Sequence, residues 1–294
     1  MSAAAKGLRS RLPFGAGTGS ERSAAARSPV DLAGATALVT GATGGLGRAI
    51  AAALSERGAR LVLSGRRVTE LGSVAGPLGA RTILADLAVA EDVSRLCEEA
   101  VAADVDVLVA NAALPATGRL DELSELEIER TLDVNLRAPI MLAHALAPAM
   151  MRRRHGHLVF VASLSGRAAA PASSMYSATK FGVRGFALGL RQDLERTGVG
   201  VSLVSPGFIR EAGMYADTGV RLPPGTGTRT PADVADAVIR AIATGRAEID
   251  VAPLPLRLGA TFASVAPGIA ASASRLLGSG RVSAEMAERQ RHKR

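Results

Sequence analysis

An apolar run from Ala35 to Thr40 leads into Thr-Gly-Ala-Thr-Gly-Gly-Leu-Gly at 40–47, and a helical pattern follows from Arg48 to Arg57. This succession of buried strand, glycine turn and helix constrains the fold more than any other stretch of the chain. Glycines let the backbone approach an anion such as a pyrophosphate, and a helix start offers free N–H groups and the positive end of its dipole. Gly41, Thr43, Gly45, Leu46 and Gly47 are therefore candidate phosphate contacts. A tight turn between strand and helix is also Gly-rich for structural reasons alone, so its function depends on what the rest of the chain supplies.

The remainder alternates in the same way. Further strands are predicted at Arg60–Ser64, Ala80–Ala85, Val105–Ala110, Leu158–Ala162, Val199–Val204 and Glu248–Ala252. Helices are predicted at Val89–Ala103, from Asp121 to about Met151 with a bend near Pro139, from the Ser163–Lys180 stretch to Thr197, and from Thr230 to about Thr244. Pro231 suits the first position of that last helix. Alternating strands and helices joined by short turns give an α/β fold, a doubly wound parallel sheet of seven strands in a single domain. The domain is expected over 31–253, between a basic, disordered leader at 1–30 and a helical extension with a basic tail at 254–294.

Composition narrows the function classes. The single Cys97 excludes an internal disulfide framework and a multi-cysteine zinc site, and points to a reducing, cytoplasmic setting. The formal charge of +8 sits almost wholly in the termini, which carry +4 in 1–30 and +3 in 281–294. A nearly neutral body gives no reason to expect nucleic-acid binding. The leader lacks the apolar core of a secretory signal; its Arg- and Ser-rich character resembles a transit peptide, although an inert leader or an early start codon accounts for it more simply. His-x-His at 155–157, in a run of arginines, reads as a solvated loop, so no metal is expected. The uncharged run Leu258–Ser274 is short and broken by Pro267, which argues against a membrane span and for a helix covering the domain or a weak peripheral contact.

Lys occurs only at 6, 180 and 293, and Tyr only at 176 and 215, in a chain that otherwise uses Arg for positive charge. Tyr176 and Lys180 are four residues apart, which stacks them on one helix face. A phenol titrates near pH ~10, so it is a poor base at neutrality unless a cation stabilises the phenolate. Such a pair also occurs as a packed ring beside a solvated ammonium. Asn likewise occurs only twice, at Asn111 and Asn135. No Gly-x-Ser-x-Gly surrounds any serine, so a hydrolase elbow is not supported.

Ser163, the Tyr176-x-x-x-Lys180 pair and the Gly41-x-x-x-Gly45-x-Gly47 turn together resemble the short-chain dehydrogenase/reductase family over about Leu32 to Pro253. The resemblance implies a Rossmann-like, NAD(P)-dependent oxidoreductase of alcohol or carbonyl substrates, with cofactor and substrate meeting at the carboxyl ends of strands four and five. It implies that Tyr176 exchanges the proton with the substrate oxygen and Ser163 holds that oxygen. Lys180 would lower the phenol pKa and bind the nicotinamide ribose, and Asn135 would hold a relay water; a helix-interior amide bonding its own backbone is the plain alternative. It also places Asp86 and Leu87 at the adenine, Asn111 in the cofactor loop, and Pro206, Gly207 and Ile209 beside the nicotinamide. Ala113 and Glu211 stand where the family has Gly and Thr. The long helices at 121–151 and 173–197 would build a homodimer or homotetramer.

At the end of strand two the chain reads Gly65-Arg66-Arg67, with no acidic residue until Glu70. An acidic group there serves the ribose 2′-OH of NAD, whereas Arg accommodates a 2′-phosphate, so NADP(H) is the expected cofactor. Arg66 is the better candidate, with Arg67 its helper or a solvated helix-start residue. The segment Gly213–Arg229 reads as a lid in which Tyr215 touches substrate or anchors the loop. The alternative function is a non-catalytic NADP(H)-binding sensor or scaffold of the same fold, which loss of Ser163, Tyr176 or Lys180 would have signalled; none is lost.

Overall fold

The computed structural model of the chain describes residues 30–223, 226–276 and 279–291. The expected leader falls almost wholly outside them. Seven strands run in chain order: β1 Thr36–Thr40, β2 Arg60–Gly65, β3 Arg81–Leu84, β4 Val107–Ala110, β5 Gly156–Val161, β6 Val199–Pro206 and β7 Glu248–Val251. All pair in parallel in the order β3-β2-β1-β4-β5-β6-β7. The order reverses between β1 and β4, which opens a crevice at the carboxyl ends of the strands.

The helices are α1 Gly45–Ser55, α2 Val68–Leu78, α3 Ala90–Ala102, α4 Glu125–Leu132, α5 Ala138–Arg153, α6 Ser174–Asp193, α7 Pro231–Thr244, α8 Leu254–Val265, α9 Pro267–Leu276 and α10 Ser279–Gln290. They divide between the two faces of the sheet. In β1, Ala37 and Val39 join the layer of α1, α2 and α7, while Leu38 joins that of α3, α5 and α6. In β5, Val159 and Val161 go one way, Leu158 and Phe160 the other. Burial on both faces is why these strands read as continuous apolar runs. Thr230 caps α7 as its side chain accepts from the Asp233 N–H at 3.1 Å and the Asp233 carboxylate accepts from the Thr230 N–H at 2.8 Å.

Several local expectations are corrected. The long helical stretch expected at 121–151 runs without a break from Glu125 to Arg153, but through a π-helical turn at Asp133–Arg137 between α4 and α5. Pro139 follows directly on that turn, in the first turn of α5. His157 is in β5 rather than a solvated loop, 3% exposed, with Nε2 2.9 Å from the Ser202 hydroxyl. Gly200 on the neighbouring strand makes the room, since a Cβ there would lie 2.4 Å from the ring. Of the two readings of the uncharged run, a helix covering the domain or a weak peripheral contact, the first is not favoured in α8, where only Ala260 is buried.

Candidate functional site

A cleft of about 790 Å³ opens at the carboxyl ends of the strands, between the glycine turn and the first turns of α6. At one end Gly41 has φ +64°, and a Cβ there would sit 2.8 Å from the Ala112 backbone. Only glycine fits where the turn after β1 meets the loop after β4. Asn111 ties the two together: its side-chain N–H groups donate to the carbonyls of Thr40 at 3.0 Å and Gly41 at 3.3 Å. The Thr40 hydroxyl accepts from the Asn111 and Ala112 N–H groups at 3.1 and 3.2 Å. Arg48 closes the turn on the Thr43 carbonyl at 3.0 Å. No side chain caps α1, and its first residues Gly45, Leu46 and Gly47 line the cleft.

Beyond the turn lies the end of β2. The Ser64 hydroxyl is buried on the cleft wall with no hydrogen-bond partner among the described residues. Arg66 is half-exposed, with its guanidinium 3.8 Å from the Asp86 carboxylate, which Arg130 holds more closely at 3.1 Å. Arg67 precedes α2 and pairs with Glu70 at 3.1 Å. An unpaired hydroxyl, a loosely held guanidinium and uncapped helix N–H groups suit a ribose and phosphates, so these residues fit the phosphorylated end of a dinucleotide. Leu87 lines the same corner.

At the other end Ser163 follows β5, and its hydroxyl accepts from the Ser165 N–H at 3.1 Å, fixing the short 3₁₀ turn Leu164–Gly166. Tyr176 and Lys180 come from α6, one helical turn apart. Lys180 is 3% exposed; its ammonium donates to the Val161 carbonyl at 3.1 Å and lies 5.6 Å from the centre of the Tyr176 ring. Burial pushes the Tyr176 phenol up to about 12, with a hydrogen bond to Ser163 working against it. Burial also brings Lys180 down to about 8. In this arrangement desolvation is the largest influence on the phenol and favours its neutral form.

Pro206, Gly207 and Ile209 form the floor after β6. Glu211 lines the cleft in a left-handed conformation, φ +73°, with its carboxylate on Arg210 at 3.1 Å. Tyr215 anchors its segment: the hydroxyl donates to the Val220 carbonyl at 2.8 Å and the ring packs edge-on against Phe208. Residues 224 and 225 of the expected lid are outside the described residues.

Among the catalytic and cofactor-binding residues expected from the sequence, Asn135 alone is off the cleft wall. It is 1% exposed in the π turn, where its carbonyl accepts from the Leu114 N–H at 2.6 Å and its amide donates to the Leu114 carbonyl at 2.9 Å and the Thr179 hydroxyl at 3.3 Å. It bonds neither its own helix nor the reacting end of the cleft, but fastens the loop after β4 to α6. Three residues went unread in the sequence. Thr40 and Arg130 carry signals only through their partners. Gln290, at the end of α10, is buried between the Thr117 hydroxyl at 2.8 Å and the Met214 carbonyl at 2.7 Å, and bridges two loops on the rim. A glutamine in a polar tail gives no sequence signal of that kind.

Among the described residues no group of His, Cys, Asp and Glu is placed to hold a metal ion, and no helix is long and apolar enough to cross a membrane. The family model for short chain dehydrogenases matches residues 35–219. The ketoacyl reductase HetN of Nostoc sp. is 35% identical over 244 residues, covering 81% of this chain and 85% of its own. Nodulation protein G of Rhizobium sp. is 39% identical over 186 residues, 62% of this chain and 76% of its own. A metagenomic short-chain oxidoreductase solved in complex with NADP superposes with a TM-score of 0.65 at 31% identity, covering 76% of this chain and 98% of that one. A short-chain dehydrogenase from Sphingobium yanoikuyae in complex with NADPH gives a TM-score of 0.68 at 25% identity, covering 84% and 94%. Sheet order, glycine turn and sequence likeness converge, and the chain belongs to the short-chain dehydrogenase/reductase family, as an NAD(P)-dependent oxidoreductase.

Proposed function

We propose that the protein transfers a hydride reversibly between NADP(H) and an alcohol or carbonyl substrate, with Ser163, Tyr176 and Lys180 as its reacting groups and Asn135 as their positioning residue. The observation that carries this reading is that Ser163, Tyr176 and Lys180 line the same cleft as the uncapped helix start and Arg66. When bound, NADPH supplies the hydride that the carbonyl carbon accepts. Ser163 holds the carbonyl oxygen by a hydrogen bond, and the Tyr176 hydroxyl gives its proton to that oxygen as the C–O bond becomes an alcohol. A phenol held at about 12 stays protonated at neutral pH, as a proton donor must. Lys180, still largely charged at pH 7, bonds the nicotinamide ribose and stabilises the phenolate left behind.

Arg66 supports NADP(H) over NAD(H), because its guanidinium is free enough to form a planar fork on a 2′-phosphate. The ketoacyl reductase relative makes 3-ketoacyl thioesters the first substrates to try. Exposed apolar residues on the paired helices, Leu126 in α4, Met141 in α5 and Phe181 in α6, support assembly as a homodimer or homotetramer. The test is an NADPH-oxidation screen over 3-ketoacyl thioesters, ketones, aldehydes and quinones. Turnover that Tyr176→Phe abolishes supports the assignment; turnover equal in both proteins removes it.

A further inference from the structure

Five large apolar side chains stand exposed on two successive helices: Leu254 (61%), Leu258 (61%), Phe262 (48%) and Val265 (81%) in α8, and Ile269 (65%) in α9. The four in α8 follow at spacings of four, four and three, which puts them on one face. A soluble monomer rarely leaves so continuous a patch in water. The charge pattern favours one kind of partner. Between Asp250 and Glu285 the chain has no acidic residue, and its charged residues are Arg257, Arg275 and Arg281. A second copy of this segment would add positive charge to positive charge with no carboxylate on either side to offset it. An anionic bilayer surface takes both the apolar stripe and the exposed Arg257 of α8. With twelve residues α8 is about 18 Å long, too short to span and suited to lie in the plane of the interface.

We propose that α8 and α9 form an interfacial anchor that lays this face on an anionic membrane surface. The anchor begins beside the cleft, since α8 packs on the turn Leu164–Gly166 and Leu256 lies next to Gly207. Docking therefore holds the floor after β6 close to the lipid.

The test is sedimentation of the full chain with vesicles of phosphatidylcholine, with or without about 30% phosphatidylglycerol. The full chain is expected to sediment with the anionic vesicles and on the order of tenfold less with neutral ones or in high salt. Leu258→Asp/Phe262→Asp should lose about tenfold or more in partitioning, with circular dichroism and thermal unfolding reporting the fold. Val265→Asp, at the most exposed position, should lose less in the same direction and carries little folding risk. The proposal is overturned if the full chain stays in the supernatant, or if both variants sediment like the parent. It is equally overturned if binding survives in the variants but vanishes on deleting residues 1–28, which assigns it to the leader. Light scattering that shows a larger assembly falling apart in the variants would make the face a subunit contact instead.

Discussion

The ammonium of Lys180 lies 5.6 Å from the centre of the Tyr176 ring while it donates to the Val161 carbonyl at 3.1 Å. The residue at the end of β5 thus holds the cation against the phenol, and burial brings it down to about 8. Below that value Lys180 is charged; above it the charge is lost, long before the phenol at about 12 gives up its proton. kcat/KM for carbonyl reduction should be flat from pH 6 to about 7.5 and fall as pH rises through about 8. Lys180→Met should be slow at every pH and lack that limb. A limb that persists in Lys180→Met belongs to another group.

Tyr176→Phe removes the proposed proton donor and little volume. It should keep the unfolding temperature and NADPH affinity while slowing turnover on the order of 10²-fold or more, the scale of a general acid. Cofactor fluorescence and steady-state kinetics on one substrate separate the two effects.

The sequence carried the fold because the central strands β1, β4, β5 and β6 are buried along their whole length, and a strand buried on both faces writes itself as a mostly apolar run. It carried the glycine turn and the Tyr176–Lys180 pair because local spacing fixes local geometry. What it did not carry depends on partners distant in sequence. The π turn at Asp133–Arg137 has no composition of its own, and shows only when Asn135 meets Leu114, 21 residues away. His157 looks like part of a basic loop until Gly200 is seen to leave room for its ring. The cation beside Tyr176 is visible in sequence, whereas desolvation of the phenol is a property of the packed site.

Asn135→Ala tests the fastening function. It leaves the N–H and carbonyl of half-buried Leu114 without their partners, and each such group costs at most about 1–3 kcal/mol. A fall in the unfolding temperature of several degrees is expected, on the order of 2–4 °C per kcal/mol for a domain of this size. NADPH affinity should fall with it, because the loop after β4 also clamps the glycine turn through Asn111. Differential scanning calorimetry and cofactor titration check both.

Glu248 in β7 accepts from Arg184 at 2.7 and 3.1 Å and pairs with Arg167 at 2.9 Å, just past the Ser163 turn. Burial works to raise its carboxyl, but the bonds and charges of Arg184 and Arg167 outweigh burial and hold it below the usual 4.5. A carboxyl with a depressed folded pKa contributes stability that is present above about 4.5 and lost as pH falls through the folded value. Denaturant unfolding of the parent should therefore lose stability steeply below pH 4.5. Glu248→Gln should be less stable at pH 7, with two arginines left short of a partner, and flatter across the acid range.

Cofactor choice rests on the loosest contact in the cleft, the 3.8 Å separation between Arg66 and Asp86. Because Arg130 already holds that carboxylate at 3.1 Å, Arg66 gives up little by turning to a 2′-phosphate of nearly two negative charges. Arg67 is committed to Glu70 at 3.1 Å and has more to give up. A charge-assisted hydrogen bond is worth roughly 1.5–3 kcal/mol, so Arg66→Ala should weaken NADPH binding on the order of ten- to a hundredfold. NADH has no phosphate to lose, and its affinity should change by less than about threefold. Arg67→Ala should act in the same direction and less. Titration of both cofactors against the parent and the two variants decides the matter: equal affinities in the parent, or equal losses in Arg66→Ala, would mean that the phosphate is not read at the end of β2.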